Sequence, residues 1–321
     1  MIRTLDTVDG TIFLTTGEVR KELPEALAQK ILDQCSAALN HPFGPPQNLS
    51  LPFFAYGLFK PSQLGFKALK PFLIEACVQA QVFGSLYERD GIPLFDASEG
   101  SPEEKVSGAI LKFSPDMEGK AYSLIGDIEP SKQYKWGTAK TVDGLMCNLL
   151  IGVKSKKGSE HVEGGDWDGS KDPLFVEALA LVKATSEEAA KYPGSVDSLL
   201  KLQMAYMLLW TSIERYVSLR YGLRGEIWPK LKSLAAEPGF KAALNQTVTK
   251  ADSVFSTDNL KPKKLDKSDS EASIDYYYQL RCNISHRGKA VMTDGIKLQR
   301  SIGELTAIFT KILNDEFRCM L

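Results

Sequence analysis

The stretch 199–216, Leu-Leu-Lys-Leu-Gln-Met-Ala-Tyr-Met-Leu-Leu-Trp-Thr-Ser-Ile-Glu-Arg-Tyr, sets the tightest limit on what this chain can fold into. It lies within a helical pattern at 195–221, opened by Ser195 and Asp197 and closed by Gly222, residue types that favour a helix start and stop. A helix that is apolar on most faces is buried centrally or covered by a partner chain. The sequence therefore predicts either a bundle wrapped round this helix or an oligomer formed across it.

Everything after Pro173 reads as helix: 173–191, the apolar helix, a helix near 226–245, a helix at 275–286 and a last one at 294–317. A polar, basic loop at 246–272 interrupts them, with Leu-Lys-Pro-Lys-Lys-Leu-Asp-Lys at 260–267. Ahead of Pro173 the pattern is different. A helix starting at Pro24 places Ala28, Ile31, Leu32, Cys35, Ala38 and Leu39 on one face, after an apolar run at 11–15. From Leu51 strands take over: 52–57, 81–87, and 106–113, which alternates as if one face were buried. Ser114-Pro115 opens a helix with a Ser cap and Pro first, ending at Glu129-Pro130. Segments 134–142 and 145–153 pair around Asp143-Gly144, a strong hairpin signal.

A chain of 321 residues accommodates two domains. The predicted division is an extension at 1–50, an α+β domain at 51–153, a glycine-rich linker at 154–172 and an all-α bundle at 173–321. No run approaches the roughly 18 apolar residues of a membrane helix, and acidic residues near the N-terminus argue against export. Cys35, Cys77, Cys147, Cys282 and Cys319 are scattered, which excludes a zinc motif or disulfide framework and fits a reducing cytoplasm. His41 reads as a loop residue and His161, between Glu160 and Glu163, as a solvated one; neither has convergent ligands, so no metal and no cofactor is expected. Residues 195–321 carry 19 Lys and Arg against 14 Asp and Glu, while 1–194 carry 20 against 26. A mildly basic C-terminal part favours a polyanion locally.

The order of motifs at 51–153 is specific. It comprises Tyr56-Gly57-Leu58-Phe59, Gly84-Ser85-Leu86-Tyr87, Val106-Ser107-Gly108-Ala109-Ile110, Asp127-Ile128-Glu129 and then Tyr134. It resembles the gamma-glutamylcyclotransferase-like family, which implies a small mixed α+β barrel. The resemblance also implies that the Tyr56-Gly57-Leu58 loop offers N–H groups to a substrate carboxylate. Glu129 would shuttle the proton of the attacking amine. Leu58 stands where the family has Ser or Thr, which removes a hydroxyl from the rim. A small-molecule ligand at this domain is expected, with or without turnover.

On the helix at 275–286, Arg281 and His286 are five residues apart. An Arg that steadies phosphate charge and a His that moves a proton suit RNA cleavage without a metal. With Tyr278, Asn283 and Arg287 nearby, and with the preceding Leu-Trp-x-x-Ile-Glu-Arg-Tyr ending at Tyr216, the pattern resembles the HEPN superfamily. That resemblance implies RNA as substrate and a site shared by two chains of a homodimer. The catalytic residues would be Arg281, His286 and Asn283; Glu214, Tyr278 and Arg287 would support them or bind phosphate. Cys282 stands directly after the Arg, where a polar residue is usual. On an ideal helix the two main residues are about 140° apart, so pairing across a dimer resolves their poor convergence. The helix dipole would favour a charged His286.

The functional expectation is a metal-independent endoribonuclease of prokaryotic defence or toxin–antitoxin type. Two alternatives stand beside it: a gamma-glutamyl cyclotransferase with a helical dimerisation module, and a non-catalytic regulatory dimer.

Overall fold

The computed structural model describes residues 3–8, 11–16, 19–22, 46–75, 78–97, 103–129, 132–222, 225–255, 261–287 and 295–318. Among these it describes side chains from residue 46 onward, except those of His286, Arg287 and Arg318. The helix expected from Pro24, with His41 after it, lies outside the described residues.

Three strands open the chain, β1 (Arg3–Val8), β2 (Thr11–Thr16) and β3 (Val19–Glu22), paired as an antiparallel meander. The main sheet is built from β4 (Phe53–Ala55), β5 (Val78–Phe83), β8 (Lys105–Leu111), β9 (Tyr134–Lys140) and β10 (Met146–Gly152). Its order is β5-β8-β4-β10-β9, antiparallel except for the β4–β10 pair. The Val142 amide donates to the Gln81 carbonyl at 2.8 Å, so the two edges of the sheet meet.

The single strand expected at 81–87 is two strands. Gly84 (φ +149°) turns the chain where a Cβ would collide with the Phe95 ring. β6 (Ser85–Arg89) therefore leaves the main sheet to pair with β7 (Ile92–Asp96) and β11 (Glu160–His161). Strand β8 is not half-buried as its alternation suggested. Ala109 and Leu111 face one apolar cluster, Val106 and Ile110 another, because β8 is paired on both sides and covered on both faces.

Helix α1 (Glu118–Ile128) starts four residues after Ser114. The Ser114 carbonyl accepts from the Met117 amide in a preceding turn, and the Ser114 side chain does not cap. The end is as expected: Glu129 is extended (φ −80°, ψ 147°), the conformation that a residue before proline prefers. The β9–β10 hairpin around Asp143-Gly144 is also as expected.

The helical part contains α2 (Glu177–Ala189), α3 (Val196–Tyr221), α4 (Ile227–Ala236), α5 (Pro238–Thr247), α6 (Ser270–Arg287) and α7 (Gly295–Arg318). Ser195 caps α3 by accepting from the Ser198 amide at 3.1 Å, and Gly222 at φ +106° ends it. The helix expected near 226–245 is broken at Glu237, which is extended ahead of Pro238. The expected polar loop at 246–272 holds a hairpin, β12 (Asp252–Phe255) with β13 (Pro262–Leu265).

Helix α3 is the centre of this part, in contact with α2, α4, α6 and α7. Leu199, Leu202, Ala205, Tyr206, Leu209, Trp210, Ile213, Tyr216, Val217 and Leu219 are buried within one chain. Burial of each large apolar side chain is worth about 1.5–3 kcal/mol. A partner is not needed to cover most of α3. One apolar cluster runs from Phe53 and Tyr122 through Phe175 to Trp210 and Phe309, so the sheet-containing and helical parts share a core. No described helix is long and apolar enough to cross a membrane.

Candidate functional site

Two places gather the residues singled out by the sequence. The first surrounds Glu129. Its carboxyl group is delivered inward by the extended turn before Pro130, and the residue is 5% exposed. That carboxyl group makes no hydrogen bond or ion pair among the described residues. Burial alone raises its pKa from 4.5 to about 8. The group lines a cavity of about 10 Å³ together with Tyr56, Gly57, Leu58, Pro93, Tyr134 and Leu150, room for roughly one water molecule.

The phenols beside it are committed elsewhere. Tyr56 Oη donates to the Leu150 carbonyl at 2.6 Å and accepts from the Phe95 amide at 3.3 Å. Tyr134 Oη donates to the Pro93 carbonyl at 2.6 Å. Burial pushes both phenol pKa values up, so neither is a proton source for Glu129. The loop is better suited to a ligand. Among the described residues, the amides of Gly57, Leu58 and Phe59 donate to no acceptor. Gly57 is needed there because a Cβ would lie 2.5 Å from the Pro93 ring. The Leu58 side chain is buried in the core.

The second place is the C-terminal half of α6. Arg281 Nη2 lies 3.1 Å from Glu214 Oε1 of α3, and Nη1 donates to Ser285 Oγ at 3.3 Å. The guanidinium also sits over the Tyr278 ring at 5.7 Å. Tyr278 is itself stacked on Trp228 and edge-on to Trp210. Arg281 is thus held from three directions, which suits a cation that must meet a phosphate in one orientation. His286 and Arg287 occupy the last turn of α6, and their side chains lie outside the described residues.

Asn283 does not join this group. It is 3% exposed; its Nδ2 donates to the Phe255 carbonyl at 3.1 Å and its Oδ1 accepts from Gln279 at 2.9 Å. Its amide fastens β12 to α6. Cys282, beside Arg281, is half-buried, and burial pushes its thiol pKa up. His161 is 3.6 Å from Glu104, outside both places. No group of metal ligands is present among the described residues.

Glu214 belongs to a face of α3 that the chain leaves open. Leu200 is 48% and Met204 70% exposed, and Thr211 is exposed too. At 100° per residue, positions 200, 204, 207, 211 and 214 fall within about 80° of one another. The open stripe therefore leads directly to the Glu214–Arg281 pair.

Several connecting residues carried no sequence signal. Arg215 Nε pairs with Asp172 at 2.8 Å and its Nη2 donates to the Gly91 carbonyl at 2.9 Å. Arg220 pairs with Glu237 at 3.1 Å and donates to the Leu64 carbonyl at 2.6 Å. Lys60 reaches Asp166 and the Trp167 carbonyl, each at 2.5 Å. In sequence these are ordinary basic residues, and only the fold reveals their partners.

No family model matches the chain, and no curated protein matches it. Among solved structures, an uncharacterized protein from Pyrococcus horikoshii is 18% identical with a TM-score of 0.30, covering 37% of this chain and 91% of that one.

Proposed function

We propose that the protein is a metal-independent endoribonuclease of HEPN type that acts as a cytoplasmic homodimer. The observation that carries this reading is the Glu214–Arg281 pair at the end of the open α3 stripe. A second copy laid along Leu200, Met204 and Thr211 would bring the α6 ends of two chains to one cleft. In that cleft Arg281, oriented by Glu214 and Tyr278, binds the scissile phosphate, and Arg287 adds a further contact. His286 takes the proton of the 2′-hydroxyl as its oxygen attacks phosphorus. The P–O5′ bond breaks as that oxygen takes a proton from the protonated imidazole, and the other product keeps a 2′,3′-cyclic phosphate. Asn283 is left out of the chemistry.

RNA incubated with the protein in EDTA tests this. Cleavage should survive the chelator and vanish in His286→Ala; a wild-type chain that cuts no RNA as a confirmed dimer removes the reading. A role in prokaryotic antiviral defence or toxin–antitoxin biology follows from the resemblance alone.

A second reading is favoured by the buried carboxyl of Glu129, which has no partner among the described residues and lines one cavity with Gly57, Leu58 and Phe59, whose amides donate to no acceptor among those residues. It is a gamma-glutamylcyclotransferase-type pocket, and the meeting of the β5 and β9 edges supports the small barrel that goes with it. The loop amides would hold the substrate α-carboxylate. Glu129 would accept a proton from the α-amine as that nitrogen attacks the γ-carbonyl, and would return it to the departing amine. Release of 5-oxoproline from gamma-glutamyl-L-alanine, lost in Glu129→Gln, is the expected result if turnover is retained. Binding without release would leave a sensor.

A further inference from the structure

The cavity at Glu129 is far smaller than an amino-acid ligand. Usable small-molecule sites run to roughly 300 Å³ or more, against about 10 Å³ here. Something in the lining must move before a ligand enters. Phe53 and Ala55 lie in β4, Pro93 in β7, Tyr134 in β9 and Leu150 in β10, all fixed by sheet ladders. The loop beginning at Gly57 is outside every ladder.

That loop folds back on itself, with the Lys60 amide donating to Gly57 and the Gly65 amide to Leu58. Its other polar ties come from outside the main sheet. Lys60, 8% exposed, is held by Asp166 and Trp167. Gln63, 2% exposed, accepts from the Gly169 amide at 3.1 Å and donates to Asp168 at 3.4 Å. The Leu64 carbonyl accepts from Arg220 of α3 at 2.6 Å. Residues 57–59 thus wall the cavity, and the loop they open is held in place by the connector, by the helical part and by the burial of Leu58, Phe59 and Leu64 in the core.

We infer that residues 57–65 are a lid over Glu129, latched by residues 166–169 and by Arg220, and that an amino-acid ligand bearing a free carboxylate enters only when the latch opens. The ligand class rests on the gamma-glutamyl reading of this pocket; the lid does not. The form that admits the ligand, with 57–59 drawn back from Glu129 and their amides still turned to the cavity, is rare while the latches hold, so a ligand that binds only that form should bind more tightly when a latch is loosened.

Amide hydrogen exchange on the full chain, with gamma-glutamyl-L-alanine as probe, tests both parts. Lys60→Met and Arg220→Gln each remove a latch. Amides in 57–65 should exchange about tenfold faster while those in the middle of α7 keep their rates, and the probe should bind about tenfold more tightly. Lys60→Met decides the matter if Arg220→Gln, which also loses Glu237, proves unstable. Unchanged exchange across 57–65 in a folded Lys60→Met chain overturns the lid, as does a probe that binds wild type and variants equally. Faster exchange with no probe binding in any chain keeps the lid and removes the gamma-glutamyl reading.

Discussion

Inside the fold, Glu129 gains nothing from ionisation, because no cation or hydrogen-bond donor among the described residues meets its carboxyl group. A carboxyl raised from 4.5 to about 8 keeps its proton in the folded chain at pH values where the unfolded chain has released it. The folded state then binds more protons, so the stabilisation is complete below about pH 4.5 and is lost as pH rises towards 8. Each pH unit in that window costs about 1.4 kcal/mol. Urea unfolding at pH 5 and 7.5 should show the wild type losing on the order of 2–3 kcal/mol more than Glu129→Gln; parallel losses would contradict the burial argument. The sequence marks Glu129 as a helix-end acid before Pro130. Its burial is not legible there, since the walls of its cavity come from β4, β7, β9 and β10. Asn283 is the opposite case. Its place beside Arg281 suggested chemistry, but its side chain is spent on Phe255 and Gln279. Asn283→Ala should lower stability by about 1–3 kcal/mol and reduce any RNA cleavage only in step with the folded fraction, as parallel melting and activity curves would show.

Helix α3 was legible in both extent and caps, because Ser195, Gly222 and an apolar run leave little choice. What periodicity cannot say is who covers such a helix. Here α2, α4, α6 and α7 of the same chain do so, and the need for a partner shrinks to the stripe at Leu200 and Met204. The missed breaks have local causes: positive φ and a close Phe95 ring at Gly84, and the pre-proline position of Glu237. The β12–β13 hairpin was hidden by its charge, because Lys261, Lys263, Lys264 and Lys267 read as loop. The open stripe offers a clean test at this scale. Met204 is 70% exposed, so Met204→Glu should leave the unfolding free energy of the monomer within about 0.5 kcal/mol of wild type. If the stripe is the dimer surface, sedimentation should then report a monomer, and RNA cleavage should fall with the dimer fraction. A dimer that persists in this variant would place the interface elsewhere.

Across the whole molecule, the last two turns of α3 join both candidate sites. Glu214 meets Arg281, Arg215 meets Asp172 and the Gly91 carbonyl, and Arg220 meets Leu64 of the 57–65 segment. Gly222 then abuts Ile128, next to Glu129. From Glu214 to Arg220 is about 9 Å of helix rise, and the continuous core at Phe175 and Tyr216 leaves little room for the two parts to shift independently. Lys67 of the sheet-containing part also pairs with Glu316 of α7. A ligand that opens the lid must therefore break a contact made by the same helix that orients Arg281. Binding at Glu129 and phosphate binding at Arg281 would then share one coupling free energy, equal in both directions. Typical couplings correspond to about 5–150-fold in affinity. The expected outcome is that saturating gamma-glutamyl-L-alanine changes the affinity for a non-cleavable RNA by at least about fivefold, and that the RNA changes the affinity for the dipeptide by the same factor. Arg220→Gln, which cuts the direct tie between α3 and the lid, should bring both factors towards one. Dipeptide and RNA that each bind with no mutual effect would mean that α3 joins the two sites in space without coupling them.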